Sequence, residues 1–146
     1  MDQPSHIRDL IGRAADYGLD LGPHLAHMTP DEIAAAYNGI GADWMPAAIR
    51  SRLTTDYADL EPSAMIHDVD FDRASGTLAE FHEANARLRA NIIRTANAVA
   101  TPWITWRWWR LRLAATACYE ATEQFGIVAY IMSTKQQNKR KEKPNE

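Results

Sequence analysis

The sequence predicts an all-α fold, and three observations carry that expectation. Apolar residues recur at steps of three and four in every segment with a clear pattern. Two segments, at Thr29-Pro30-Asp31-Glu32 and Glu61-Pro62-Ser63, open with residues suited to helix starts. No stretch has the convincing period of two that a half-buried strand needs.

The elements follow in chain order. Ile7, Leu10, Ile11 and Ala14 share one face of a first short helix over about 5–17. Residues 18–28 hold glycines and Pro23 and read as a connection. At Thr29 the hydroxyl caps a free N–H, Pro30 suits the first helical position, and Glu32 completes a capping box. That short helix stops at Asn38-Gly39, because glycine readily takes the left-handed conformation that ends helices. Residues 39–62 read as irregular, with a turn of helix around 47–53. The next helix carries Met65 to about Ala74, and Ser75-Gly76 breaks it. A long helix over 77–99 follows, with Phe81, Asn85, Leu88 and Ile92 on one face. Pro102 interrupts, and a last helix over about 103–133 carries a stripe of Ile104, Trp108, Leu111, Ala115, Cys118, Thr122, Phe125, Ala129 and Met132. Residues 135–146 have no apolar pattern and are expected to form a disordered basic tail beyond a single domain over 1–134.

The totals fit one domain with a real core: 146 residues, 46% apolar and 24% charged. The net charge of −3 is uneven. All four lysines lie in the tail, so the body has 11 arginines against 17 acids, a charge of −6. Such a body argues against general nucleic-acid binding, which needs a basic face to neutralise phosphates. A single cysteine, Cys118, rules out an internal disulfide framework. The start, MDQPSHIRDL, lacks the basic and then apolar stretches of a secretory signal. The apolar run 125–132 is far shorter than the roughly 20 residues a membrane span needs. Synthesis in a reducing cytoplasm is expected, compatible with later release by lysis or inside a particle.

One constellation points to chemistry. Tyr37-Asn38-Gly39-Ile40-Gly41 places two glycines one residue apart ahead of a helix. Glycines allow unusual dihedrals, so successive carbonyls can converge on one centre. A hard cation such as Ca²⁺ takes about six to eight oxygens, backbone carbonyls among them. Carbonyls bring no negative charge, so a carboxylate must join them, and Asp68 beside His67 is the candidate. The plainer readings are that the glycines only turn the chain and that His67 is a hydrogen-bonded core histidine.

Tyr37-x-Gly39-x-Gly41 followed by His67-Asp68-Val69-Asp70-Phe71 resembles the phospholipase A₂ superfamily, with its Tyr-x-Gly-x-Gly calcium loop and His-Asp-x-x-(Tyr/Phe) helix. The likeness covers roughly 33–95 and is nearest to disulfide-free parvovirus capsid and phage-encoded branches. It implies a core of two antiparallel helices with a calcium loop, flanked here by N- and C-terminal helices. It also implies Ca²⁺-dependent hydrolysis of the sn-2 ester of a glycerophospholipid at a membrane surface. In that scheme His67 is the general base, while Asp68 and the carbonyls of Tyr37, Gly39 and Gly41 hold the metal. Asn85 matches the supporting aspartate that holds the far histidine nitrogen. Asparagine accepts that hydrogen bond but brings no charge. Glu83 lies about 200° around the helix and is a poor substitute. Asp70 stands where secreted relatives have a disulfide cysteine. The stretch 42–61 is longer than in compact relatives and could form a lid or a substrate rim.

The rival expectation is a non-catalytic phage structural or interaction module that keeps this fold. Trp103, Trp106, Trp108 and Trp109 crowd one segment with Arg107, Arg110 and Arg112. Trp108 is expected in the core. The rest of the segment 103–109 is expected to meet a partner, as a homo-oligomer contact, a phage-particle contact or an anchor at a lipid interface. His6, His24, His27 and His82 lack the spacing of a zinc site, and Cys118 reads as an inert core thiol.

Overall fold

The structure is a computed structural model and describes residues 3–37, 39–40, 48, 52 and 55–141, with the backbone alone at 129 and 132–141. The described residues form five α-helices: α1 (Gln3–Asp16), α2 (Pro30–Ala36), α3 (Glu61–Arg73), α4 (Leu78–Val99) and α5 (Trp106–Lys141). Short 3₁₀ turns occupy Leu25–His27 and Ala58–Leu60. No strand occurs among the described residues, and the fold is all-α.

Local chemistry sets the helix boundaries. α2 begins with the expected capping box, the Thr29 side chain accepting from the Glu32 N–H while Glu32 accepts from the Thr29 N–H. The same device opens α4, between Thr77 and Glu80. Glu80 there also takes hydrogen bonds from Ser75, and these bonds hold its carboxyl down at about 2. α2 ends one residue earlier than the Asn38-Gly39 stop expected from sequence: Tyr37 is already extended, and Gly39 turns left-handed, at φ 88°, only beyond it. Of the helix turn expected around 47–53, Ala48 and Arg52 are helical, and the other residues of that turn, like much of the 42–61 insert, lie outside the described residues.

Two layers of packing follow. Ile7, Leu10 and Ala14 of α1 meet Ile33 and Ala36 of α2 and Met65, Ile66 and Val69 of α3 in a first core. A second core joins Leu88, Ile92 and Ala96 of α4 to Trp108, Leu111 and Ala115 of α5. α3 and α4 run antiparallel, since Ser63 faces Thr95 at 3.4 Å and, further along α3, His67 faces Asn85. α5 returns antiparallel to α4, with Trp108 Nε1 donating to Asn97 near the α4 end and Glu123 reached by Asn85 in its middle.

The apolar stripe of α5 holds at first and then slips. Trp108, Leu111 and Ala115 are buried as expected, but Phe125 is 72% exposed and Tyr130 is buried instead. The stripe has a period of 3.5 residues, whereas a straight helix turns about 100° per residue. From Trp108 to Phe125 the direction slips by about 100°, and by Tyr130 it returns to within about 40°. Ile104, expected on the stripe, precedes the helix and is 81% exposed. The α5 backbone also runs helically to Lys141, where sequence expected an irregular tail from 135. Lys, Gln and Arg are good helix formers, and extending an existing helix needs no new nucleus. Residues 142–146 of that expected tail lie outside the described residues.

Candidate functional site

α3 and α4 form the walls of the site. His67 and Phe71 lie one helical turn apart on α3, with ring centroids 4.2 Å apart. Phe71 in turn contacts Phe81 of α4 and Tyr130 of α5 at 5.8 and 5.1 Å, so an aromatic cluster backs the histidine. His67 is buried, and its Nε2 lies 2.9 Å from Asn85 Oδ1. A carbonyl oxygen only accepts, so Nε2 carries the proton of that bond and Nδ1 keeps its lone pair. Burial, the larger effect, lowers the His67 pKa to about 4, opposed by the bond to Asn85. The ring is therefore neutral near pH 7.

Asn85 is fully buried and satisfied on both sides. Its Nδ2 donates to Glu123 Oε1 at 2.8 Å, and Glu123 Oε2 lies 2.8 Å from Nδ1 of the exposed His82. A hydrogen-bonded line thus runs from His67 through Asn85 and Glu123 to His82 at the surface. Glu83, as expected from its place on α4, is exposed. Sequence reasoning missed Glu123. Its one trace is its place a heptad before Tyr130, which is legible only once Tyr130 replaces Phe125 as the inward residue.

The loop side begins at Tyr37, whose Oη donates to Glu61 Oε1 at 3.1 Å. Glu61, buried at the start of α3, also lies 3.4 Å from His6 Nε2 on α1, tying the two helices together. Burial above all, then the Glu61 charge, raises the Tyr37 phenol well beyond its usual range. The Asp68 charge pushes the same way. Ile40 packs against the α4–α5 core. Asn38 and Gly41 lie outside the described residues, and so does the expected convergence of the carbonyls of Tyr37, Gly39 and Gly41. Among the described residues no three His, Cys, Asp or Glu side chains gather as a metal cluster. Backbone carbonyls with one carboxylate are a different kind of site. Carbonyls and a carboxylate such as that of Asp68 are hard oxygen donors, the kind that Ca²⁺ takes.

Asp70 pairs with Arg87 of α4, and Arg87 reaches Asp20 at 3.3 Å as well. Gly22, at φ 70°, lies so close that a Cβ there would come within 2.7 Å of Asp70 Oδ1. Asn91 closes this side, exchanging hydrogen bonds of 2.9 Å with the Asp20 N–H and carbonyl. The Trp segment divides as follows: Trp108 is 3% exposed, while Trp103, Trp106 and Trp109 are 69%, 75% and 42% exposed. Burial pushes the Cys118 thiol up, away from the reactive thiolate. Among the described residues no helix is long and apolar enough to cross a membrane. Comparison with protein-family models, curated proteins and solved structures gave no match to this chain.

Proposed function

We propose that the chain is a calcium-dependent hydrolase of the phospholipase A₂ type, acting on the sn-2 ester of glycerophospholipids. The observation that carries this reading is the 2.9 Å contact between His67 Nε2 and Asn85 Oδ1 on two antiparallel helices. It leaves Nδ1 as the basic nitrogen of a neutral ring. In the proposed reaction Nδ1 takes a proton from water as the water oxygen attacks the ester carbonyl carbon. The protonated ring then returns that proton to the departing alkoxide, giving a fatty acid and a lysophospholipid. Phe71 holds the ring in place by a tilted ring contact, and Asn85 holds it by hydrogen bonding. Asp68 and the carbonyls of Tyr37, Gly39 and Gly41 are the proposed metal ligands. When bound, Ca²⁺ would supply positive charge for the ester oxygen as it becomes an oxyanion.

Asn85 favours a second reading, a non-catalytic interaction module, because an amide cannot stabilise an imidazolium by charge. The exposed Trp103, Trp106 and Trp109 would then be its partner contact. Fatty-acid release from mixed phosphatidylcholine and phosphatidylglycerol vesicles separates the two. The hydrolase reading expects release that needs calcium, stops with chelator, and falls at least a hundredfold in His67→Gln. Release indifferent to both changes overturns the mechanism, and no release with calcium present favours the module.

A further inference from the structure

We propose that Glu123 is a positioning residue for His67: acting through Asn85, it fixes which imidazole nitrogen carries the proton. The argument starts from an ambiguity in Asn85. An asparagine amide presents an acceptor on one side and a donor on the other, and turning it over exchanges them at little steric cost. Asn85 lies wholly buried between two groups, His67 on α3 and Glu123 on α5. A neutral imidazole can face either side of an amide, because each ring nitrogen can be donor or acceptor. A carboxylate cannot, because it only accepts. Glu123 therefore requires Nδ2 of Asn85 on its own side, as the 2.8 Å contact has it. Oδ1 is then turned toward His67, 2.9 Å from Nε2, and that nitrogen must donate. The proton sits on Nε2 and the lone pair on Nδ1.

The line of contacts thus transmits a choice rather than a charge. Glu123 orients the amide, the amide selects the tautomer, and the tautomer selects the basic nitrogen. Remove the carboxylate and the Asn85 amide is free to present Nδ2 to the ring. Nε2 would then accept, the proton would move to Nδ1, and the nitrogen proposed to act on water would have no lone pair. Glu123 lies on α5, outside the stretch 33–95 that carries the likeness to phospholipase A₂. The helix appended to the two-helix pair would thereby complete the arrangement that an asparagine alone leaves undetermined. His82, on the other Glu123 oxygen at 2.8 Å, helps hold the carboxylate but does not touch the amide.

The consequence for hydrolysis rests on the function proposed above, but the tautomer does not, so the test reads the two separately. In the full-length ¹⁵N-labelled chain, without calcium and at neutral pH, the two-bond ¹H–¹⁵N correlations of the His67 ring report which nitrogen is protonated. The wild type is expected to show the Nε2–H form. Glu123→Met, of similar shape but with no acceptor, is expected to raise the Nδ1–H form several-fold. Glu123→Gln, whose amide can turn either an acceptor or a donor toward Asn85, is expected to give a pattern between those of the wild type and Glu123→Met. His82→Leu is expected to leave that pattern unchanged. A wild-type ring protonated mainly on Nδ1 overturns the proposal before any variant is made, so its test does not depend on Glu123→Met folding. A wild-type pattern retained in folded Glu123→Met overturns it as well. In the vesicle assay with calcium, Glu123→Met should lose roughly tenfold or more, as expected when a base is held in the wrong tautomer, while Glu123→Gln falls between it and the wild type. Tautomers that shift as expected in a wild type that releases no fatty acid uphold the positioning role and overturn the hydrolase reading.

Discussion

His67 combines a polar ring with a buried place, and that has a cost that depends on pH. Its pKa in the folded chain is about 4, against an ordinary value of 6.5. Between those values the unfolded chain binds more protons than the native one. The His67 contribution is therefore full above pH 6.5 and lost as pH falls toward 4. At about 1.4 kcal/mol per pH unit, the wild type should lose about 3 kcal/mol through this group. Urea titrations in calcium-free buffer at several pH values should show that loss, and His67→Gln should lack this part of it. Asn85 gives a second prediction. The likeness to phospholipase A₂ suggests that Asn85→Asp would restore a missing charge. In this chain it would set a carboxylate where Nδ2 now meets Glu123 at 2.8 Å. Two carboxylates at that distance cannot both ionise. Asn85→Asp alone should cost about 1–3 kcal/mol at pH 7, and adding Glu123→Gln should recover most of it by supplying a donor. The His67–Asn85 pair was expected from the likeness to phospholipase A₂, and from the need of an amide among Phe81, Leu88 and Ile92 for a partner. Glu123 was not, because nothing local marks which residue 38 positions later on another helix will meet an amide.

At the scale of elements, the capping boxes at Thr29 and Thr77 rest on residues three apart, and such short-range chemistry is readable without knowledge of the fold. The phase of α5 is not readable in that way, because it accumulates over many residues and is fixed by what α4 offers. The tie between α3 and α4 is similarly non-local. Asp70 is 5% exposed, its acid is raised by burial, and Arg87 opposes that effect by pairing with it. Removing one member of a buried pair strands the other charge. Arg87→Met should therefore cost about 3–5 kcal/mol in urea unfolding, and Asp70→Leu with Arg87→Met should cost clearly less. A double variant no more stable than the single one would show that the pair is not what stabilises this hairpin. The tryptophans offer a contrast within one turn of α5. Trp108→Ala should cost about 3–5 kcal/mol by emptying the second core. Trp106→Ser, at a site 75% exposed, should change the chain's own stability by about 0.5 kcal/mol or less.

The whole molecule depends on α5 more than the motif-bearing stretch suggests. α1, α2 and α3 share the first core, whereas α5 covers much of one face of α4: Leu88, Ile92 and Ala96 meet Trp108, Leu111 and Ala115, with Leu60 beside them, and Phe81 meets Tyr130 and Phe71. Asn85 has the same dependence, since Glu123 satisfies its Nδ2. Tyr130 also donates from Oη to the Thr77 carbonyl at 3.0 Å, fastening the middle of α5 over the start of α4. A chain cut after residue 100 would expose that apolar face and leave a buried amide unpaired, at about 25 cal/mol per Å² for the apolar area and about 1–3 kcal/mol for the amide. Losses of that kind exceed the margin by which a domain of this size is stable. The fragment 1–100 should therefore show no cooperative thermal transition by circular dichroism. The fragment 1–134 keeps Trp108, Glu123 and Tyr130 and should melt within a few degrees of the full chain. Cooperative melting of 1–100 near the full-length midpoint would make the two-helix pair an autonomous unit. The His67 ring of such a folded fragment, lacking Glu123, should then raise its Nδ1–H form as Glu123→Met does, which the same labelled fragment can report.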